Sequence, residues 1–346
     1  MSIRTGSWLG YVLLLAITAA AAAGESTTIA FGSCADDDKP DHPIWDAIYD
    51  VKPEIFLMLG DNVYADTSEF IRTRDPELIK AEYEKLARSS KFKRLRRYSS
   101  VFATWDDHDY GLNDAGREFA QKKASEKIFL DFFDVPTDAP ERLRPGIYSA
   151  KYVEKYGKRI QIILLDTRYF RSALRQGQGS CKYAENTSQS ATILGTDQWE
   201  WLEQELQQPA DFRILASSLQ FLNDEHCWER WGAFPNERKR LLAVLKNNAV
   251  KNVVVVSGDR HLGEISRYAT AAEEEGNYPF YEVTSSPLSA RSGFGEGDPN
   301  RFRIGRDNVR VANFGLIKVD WRINEVDLSL VGSDGTVLEA TSFNLQ

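Results

Sequence analysis

The sequence is poor in sulfur and imidazole, with three cysteines, two methionines and four histidines in 346 residues. An odd cysteine count leaves at least one thiol outside any intrachain disulfide. Positive charge is also short: 43 Lys and Arg stand against 51 Asp and Glu, a formal net charge of −8, which argues against a nucleic-acid-binding face. After the first 23 residues no apolar run is long enough to span a bilayer. There is no Gly-x-Ser-x-Gly of a nucleophilic serine hydrolase. Gly293-x-Gly295-x-Gly297 has neither a preceding strand nor a lysine, so it does not read as a nucleotide-binding turn. No repeat of 20 to 50 residues stands out. Hydrophobic residues make up 42% of the chain and charged residues 27%, which permits a real core and excludes disorder as the main state.

Met1 to Ala23 reads as a secretory signal peptide, with Arg4 as the positive region, Leu9 to Ile17 as the apolar region and an alanine run at the cleavage end. Residues 24–346 then form one domain, secreted or periplasmic, with no transmembrane segment in the mature chain. Export places the cysteines in an oxidising compartment. Cys181 lies in a polar loop and Cys227 follows an apolar run, so their pairing would staple that loop to the core and leave Cys34 as the odd thiol.

Strand and helix patterns alternate. Thr28 to Phe31, Glu54 to Leu59, Val101 to Trp105, Phe212 to Ala216 and Val253 to Ser257 read as strands. The valine run of the last is typical of a strand buried on both faces. Gly146 to Val153 and Arg159 to Asp166 read as a hairpin around Tyr156-Gly157. Helices are expected at Pro43 to Tyr49, Pro76 to Arg88, Arg117 to Phe133, Thr196 to Leu206 and Asn236 to Lys246. The remainder, through Tyr281 to Thr284, Val311 to Trp321 and Val326 to Val331, is β-rich, and Ser292 to Pro299 reads as a surface loop. Alternation that closes in β-hairpins predicts an α/β fold of two sheets covered by helices.

Polar clusters follow four of these strands: Gly32-Ser33-Cys34, Gly60-Asp61-Asn62-Val63-Tyr64-Ala65-Asp66, Thr104 to Asp109, and Ser257-Gly258-Asp259-Arg260-His261. Ligands of open α/β sheets bind outside such strand ends. Singly, each cluster reads as a turn, a solvated acidic loop or a packed core residue. Jointly they repeat one pattern, an apolar strand, a small residue and then a ligand-type residue, and that repetition points to a metal site. Two ions held together by a shared carboxylate would clamp a phosphate and activate water against a phosphoester.

Phe31-Gly32-Ser33-Cys34, Gly60-Asp61-x-x-Tyr64, Thr104-Trp105-Asp106-Asp107-His108-Asp109, Leu165-Asp166-Thr167-Arg168 and Gly258-Asp259-x-His261 together resemble the PhoD-like alkaline phosphatases of the metallophosphoesterase superfamily, which is related to the purple acid phosphatases. Tyr281 to Pro287 and Trp231 to Leu242 are similar to that family as well. The resemblance runs from about Thr28 to the C-terminus, without the separate N-terminal β-domain of longer members. It implies a four-layer α/β/β/α sandwich holding iron and calcium. By that resemblance Asp61 is the bridging carboxylate, Tyr64 a phenolate ligand to Fe(III), Cys34 a thiolate ligand where most relatives have Asp, and His261 the last ligand. Asp107 stands where the superfamily has an Asn ligand, and Asp259 where many relatives have His. His108 matches the leaving-group histidine and Asp109 is placed to orient it; Asn113 falls near a metal- or substrate-contacting Asn.

The departures have a chemical consequence. Asp107 and Asp259 make the second site oxygen-rich and anionic, which favours Ca²⁺, with Zn²⁺ or Mn²⁺ behind it. Thiolate and phenolate at the first site favour Fe(III). Arg168, Arg171 and Arg260 are candidates for steering the phosphate, with a structural pairing with Asp166 as the alternative role for Arg168. The partner expected is a small phosphoester or phosphodiester, including lipid or cell-wall phosphodiesters as an alternative. A non-catalytic metal-binding relative on the same scaffold would have lost His108 or Asp61, and both are present. Trp228 and Trp231 read as core packing, or else as the lining of an apolar entrance.

Overall fold

The computed structural model describes residues 24–247, 250–268, 280–292, 298–305 and 307–346. The expected signal segment Met1 to Ala23, and residues 293–297 of the expected Ser292–Pro299 loop, lie outside them.

In chain order the elements begin β1 (Ser26–Gly32), α1 (Ile44–Asp50), β2 (Ile55–Leu59), α2 (Ser68–Thr73), α3 (Pro76–Arg88), α4 (Ser90–Tyr98) and β3 (Ser100–Thr104). They continue with α5 (Asp107–Tyr110), α6 (Lys122–Phe132), β4 (Ser149–Lys155), β5 (Lys158–Leu164), β6 (Arg175–Gln176), β7 (Tyr183–Ala184), α7 (Gly195–Glu205) and β8 (Phe212–Ala216). The last are α8 (Pro235–Asn247), β9 (Val253–Ser257), β10 (Glu264–Tyr268), β11 (Phe280–Thr284), β12 (Asn313–Asp320), β13 (Glu325–Gly332) and β14 (Val337–Asn344).

Local chemistry sets several boundaries. The Asp75 carboxylate accepts from Glu77 N at the start of α3, where Pro76 takes the first helical position and its missing N–H costs nothing. Ser89 ends α3 and its hydroxyl caps α4 by accepting from Phe92 N at 3.2 Å. The helix expected from Arg117 starts only at Lys122, because Arg117 N is drawn to Arg171 O, 2.9 Å away.

Two six-stranded sheets, ordered β14-β13-β12-β1-β2-β3 and β10-β11-β9-β8-β5-β4, pack face to face. The two-residue period of the strands divides their side chains between layers. Val254 and Val256 face the other sheet with Ile29, Leu57, Ile162 and Leu328, while Val253 and Val255 turn outward onto Trp199, Leu202 and Leu241 of α7 and α8. Ala30, Phe56 and Met58 of the first sheet pack beneath α1, α3, α4 and α6. The result is the expected α/β/β/α sandwich. Within it β1, β2 and β3 run parallel, as do β5, β8, β9 and β11, so many strand C-termini open toward one edge. Among the described residues no helix is long and apolar enough to cross a membrane.

Candidate metal centre

Each expected ligand sits just past a strand of that edge: Cys34 after β1, Asp61 and Tyr64 after β2, Asp107 and His108 after β3, and Asp259 and His261 after β9. The chain turns sharply there. Cys34, Asp61, Asp259 and His261 have φ of 58°, 48°, 65° and 53°, in the left-handed region where non-glycine residues are uncommon and which clusters at functional sites. Glycine permits the close approach behind them. A Cβ on Gly258 would stand 2.4 Å from the Ser33 side chain, and one on Gly60, whose φ is 102°, would meet the Asp106 backbone nitrogen at 2.7 Å.

The donor atoms form linked groups. One atom each of Cys34, Asp61 and His261 lies within 4.8 Å of the others, and Asp61 also shares such a group with Asp107 and His108. Asp107 in turn groups with Asp106 and Asp259, and with Asp114 and Glu229. Cys34 Sγ is 3.4 Å from Asp61 Oδ2, and Tyr64 Oη is 3.1 Å from His261 Nε2. The other nitrogen of that ring, Nδ1, lies 2.5 Å from the Arg291 carbonyl oxygen, which fixes the ring with Nε2 toward the phenol. The structure therefore brings Cys34, Asp61, Tyr64, Asp107, Asp259 and His261 together, with Asp61 common to two groups.

The electrostatics of this cluster call for a cation. Burial pushes the Cys34 thiol up, and burial together with Cys34 and Asp107 pushes Asp61 well above the carboxylate range. Asp259 is raised by burial to about 7, and burial also pushes Asp106 well above the usual carboxylate range, although Arg168 pulls it down. Asp106 Oδ2 is buried with no hydrogen-bond partner. Crowded buried acids of this kind are costly unless protonated or bound to a cation, so the donor set fits metal. Its composition is graded: thiol, phenol and imidazole at one end, carboxylates alone at the other.

Some expected roles are corrected. Asp109 does not orient His108. Its Oδ2 accepts from Asn62 Nδ2 at 2.5 Å and Tyr83 Oη at 3.1 Å, and its Oδ1 from Asp106 N at 2.6 Å, so it braces the loop. The carboxylate beside the imidazole is Asp66, with His108 Nδ1 2.8 Å from its Oδ1. Burial works against a charged ring there, but Asp107 and Asp66 outweigh it and hold His108 up to about 10. Arg168 is fully buried rather than facing substrate; its Nε donates to Asp106 Oδ1 at 2.5 Å and its Nη1 to Glu229 Oε2 at 2.7 Å. Arg171 is equally buried and reaches the other Glu229 oxygen at 2.9 Å. The structural pairing for Arg168 is real, but its side-chain partners are Asp106 and Glu229, while Asp166 Oδ1 accepts its backbone N–H.

Asn113 and Arg260 do reach the opening. They line a cavity of about 260 Å³ together with Asp61, Asp107, Asp259 and both site histidines. Asn113 Nδ2 donates to Asp114 Oδ2, and Arg260 Nη2 to Asp298 Oδ2 at 2.7 Å. Lys182 and Trp228 complete the rim, whereas Trp231 is core. A larger hollow of about 640 Å³, bordered by Arg96, Tyr98 and Phe102, gathers no group of potential metal ligands, so we assign the chemistry to the smaller cavity.

Several site residues were not expected. Asp66, Asp106 and Ser286 lie inside the motifs already noted, but their roles emerge only in space. The Ser286 hydroxyl lies 3.1 Å from Cys34 Sγ and accepts from His261 N at 3.0 Å, joining two strand ends. Asp114 and Glu229 carry no local signal at all. Cys181 and Cys227 form a disulfide and Cys34 is the free, buried cysteine.

Comparison with known proteins identifies the family and agrees with the fold. The family model of PhoD-like phosphatase matches residues 29–327. Alkaline phosphatase D of Bacillus subtilis (strain 168) is 25% identical over 237 residues, which are 62% of this chain and 40% of that protein. This chain therefore aligns with well under half of that relative's length. A solved structure of PhoD superposes with a TM-score of 0.70 at 17% identity, covering 93% of this chain and 70% of the other, which establishes the common fold. The chain belongs to the family of PhoD-like phosphatases.

Proposed function

We propose that this protein is an exported, metal-dependent hydrolase of small phosphoesters or phosphodiesters. The observation that carries the proposal is that Asp61 shares one group of donor atoms with Cys34 and His261 and a second with Asp107 and His108. Fe(III) is assigned to the end with Cys34, Tyr64 and His261, and Ca²⁺ to the carboxylates of Asp106, Asp107 and Asp259. Bound there, such ions supply Lewis-acid stabilisation of phosphoryl oxygens and a nucleophile from water at neutral pH.

The remaining work falls to the chain. His108, held protonated by Asp107 and Asp66, lines the cavity and donates a proton to the departing alkoxide. Arg260 lines the same cavity beside Asp259 and supplies a cation that draws in a phosphate. Asp109 and the Arg168 network keep the Asp106–Asp107 turn rigid.

Export is supported by two separate features, the signal-like Met1 to Ala23 segment and the Cys181–Cys227 disulfide, a bond that persists in oxidising compartments. The test is elemental analysis of protein purified without chelator, alongside hydrolysis of p-nitrophenyl phosphate. Iron and calcium with hydrolysis support the whole proposal. Zinc alone with hydrolysis keeps the enzyme and overturns the metal assignment. Neither metal nor hydrolysis overturns the enzyme reading.

A further inference from the structure

Among the described residues that line the cavity, Trp228 is the sole apolar side chain; the others are acids, bases and an amide. It is 45% exposed, against 0% for its neighbour Trp231, so burial does not account for it. Other large apolar side chains, Leu143 and Tyr98 among them, are more exposed still, so it is the place of Trp228 in the lining of this cavity that raises the question of what meets it.

The surroundings of Trp228 hold it still. Its backbone N–H donates to His226 Nδ1 at 3.2 Å and its carbonyl accepts from Arg230 Nη1 at 2.8 Å. The residue before it, Cys227, is bonded to Cys181, and Tyr183 N donates to the Cys227 carbonyl at 2.9 Å. That bond also fixes Lys182, the residue after Cys181. The Lys182 ammonium lies 5.3 Å and the Arg260 guanidinium 5.5 Å from the Trp228 ring, and both line the same cavity. The indole thus carries two cations near its ring and shares the cavity lining with the metal-ligand side chains Asp61, Asp107, Asp259 and His261. A phosphate held by those ligands would bring its attached group within the same cavity.

We propose that Trp228, pinned by the Cys181–Cys227 disulfide, is the platform for the leaving group, and that the site prefers phosphoesters whose alcohol carries an aromatic ring. An aromatic face offers stacking that a small alkyl group lacks, and a backbone already tied down leaves only the side-chain torsions to be ordered on binding. The proposal rests on the phosphoesterase reading for its substrate class, but binding can be measured without turnover.

The probes are benzylphosphonate and ethylphosphonate, which are not hydrolysed, titrated by calorimetry into the metal-loaded protein. Wild type should bind benzylphosphonate the more tightly. Trp228→Ala should weaken benzylphosphonate about tenfold and ethylphosphonate less than about twofold. Trp228→Phe should restore most of the difference. The double variant Cys181→Ser with Cys227→Ser should lose part of it while binding ethylphosphonate as wild type does. An equal loss for both phosphonates in Trp228→Ala, or no loss for either, overturns the platform. Turnover of benzyl phosphate is followed separately: its absence with the binding preference intact overturns the phosphoesterase reading and leaves the platform standing.

Discussion

The imidazole of His108 lies 2.8 Å, Nδ1 to Oδ1, from the carboxylate of Asp66, and not against Asp109, its neighbour in sequence. Asp66 therefore acts on the proton held by His108, and Asp109 acts on the backbone.

That division separates two substitutions. Asp66→Asn should lower kcat by about 10- to 100-fold with little change in KM, because a positioned acid loses its partner. In a His108→Ala background the same change should cost nothing further, since the two act as a unit. Asp109→Ala should instead lower stability by about 3 kcal/mol, leaving buried donors of Asn62, Tyr83 and Asp106 unpaired. Urea unfolding and steady-state kinetics on all the variants check this. An additive effect of Asp66→Asn in the His108→Ala background would show that Asp66 works elsewhere.

The shared position of Asp61 gives a prediction about metal content. Asp61→Asn should lose bound metal and activity together, because Cys34 and His261 on one side and Asp107 on the other depend on its oxygens. Tyr64→Phe should keep much of the metal yet lose any visible phenolate-to-iron band. Elemental analysis and an absorption spectrum of each variant decide the matter. Full activity with metal retained in Asp61→Asn rules out bridging, and a persisting band in Tyr64→Phe rules out phenolate ligation.

Arg168 was a phosphate candidate by residue type and is a buried strut by position. It joins Asp106 to Glu229; burial works against its charge, but those carboxylates outweigh it and raise its affinity for a proton. Removing one member leaves buried charge without compensation, which costs about 3–5 kcal/mol. Arg168→Ala should therefore lower the unfolding midpoint strongly. Unchanged stability with weakened phosphate inhibition would return Arg168 to the substrate.

What could be read from the sequence was the chemistry at strand ends. An apolar strand followed by a small residue and a ligand type is a local pattern, and Cys34, Asp61, Asp107, Asp259 and His261 all obey it. Which carboxylate faces which ring is set by side-chain direction across separate strands, and so Asp66 and Ser286 stood in noted motifs without roles. Glu229 precedes no strand and follows none; it joins the site only because the disulfide-bound loop folds over the cavity. Polarity likewise does not report burial, as Arg168 shows. Among the elements, α4 was missed because only Phe92 and Leu95 of its very basic sequence are buried. β14 was missed because it is an edge strand with largely exposed side chains.

Glu282 of β11 provides a pH test on a carboxylate outside the set of metal ligands. Its carboxylate accepts from Phe221 N, Leu222 N and Ser257 Oγ, yet burial outweighs those donors and pushes it up to about 7. The unfolded side chain releases its proton near 4.5, so between pH 4.5 and about 7 the folded state binds more protons than the unfolded one. Stability then falls as pH rises through that window, by on the order of 3 kcal/mol from this residue. Below 4.5 and above 7 its contribution is level. Glu282→Gln cannot ionise, so its stability should not carry that slope, although it loses an acceptor for Leu222 N at every pH. Denaturant unfolding across the window should show the advantage of wild type over the variant shrinking as pH rises. Parallel profiles would mean that the three donors hold Glu282 ionised and that burial does not govern it.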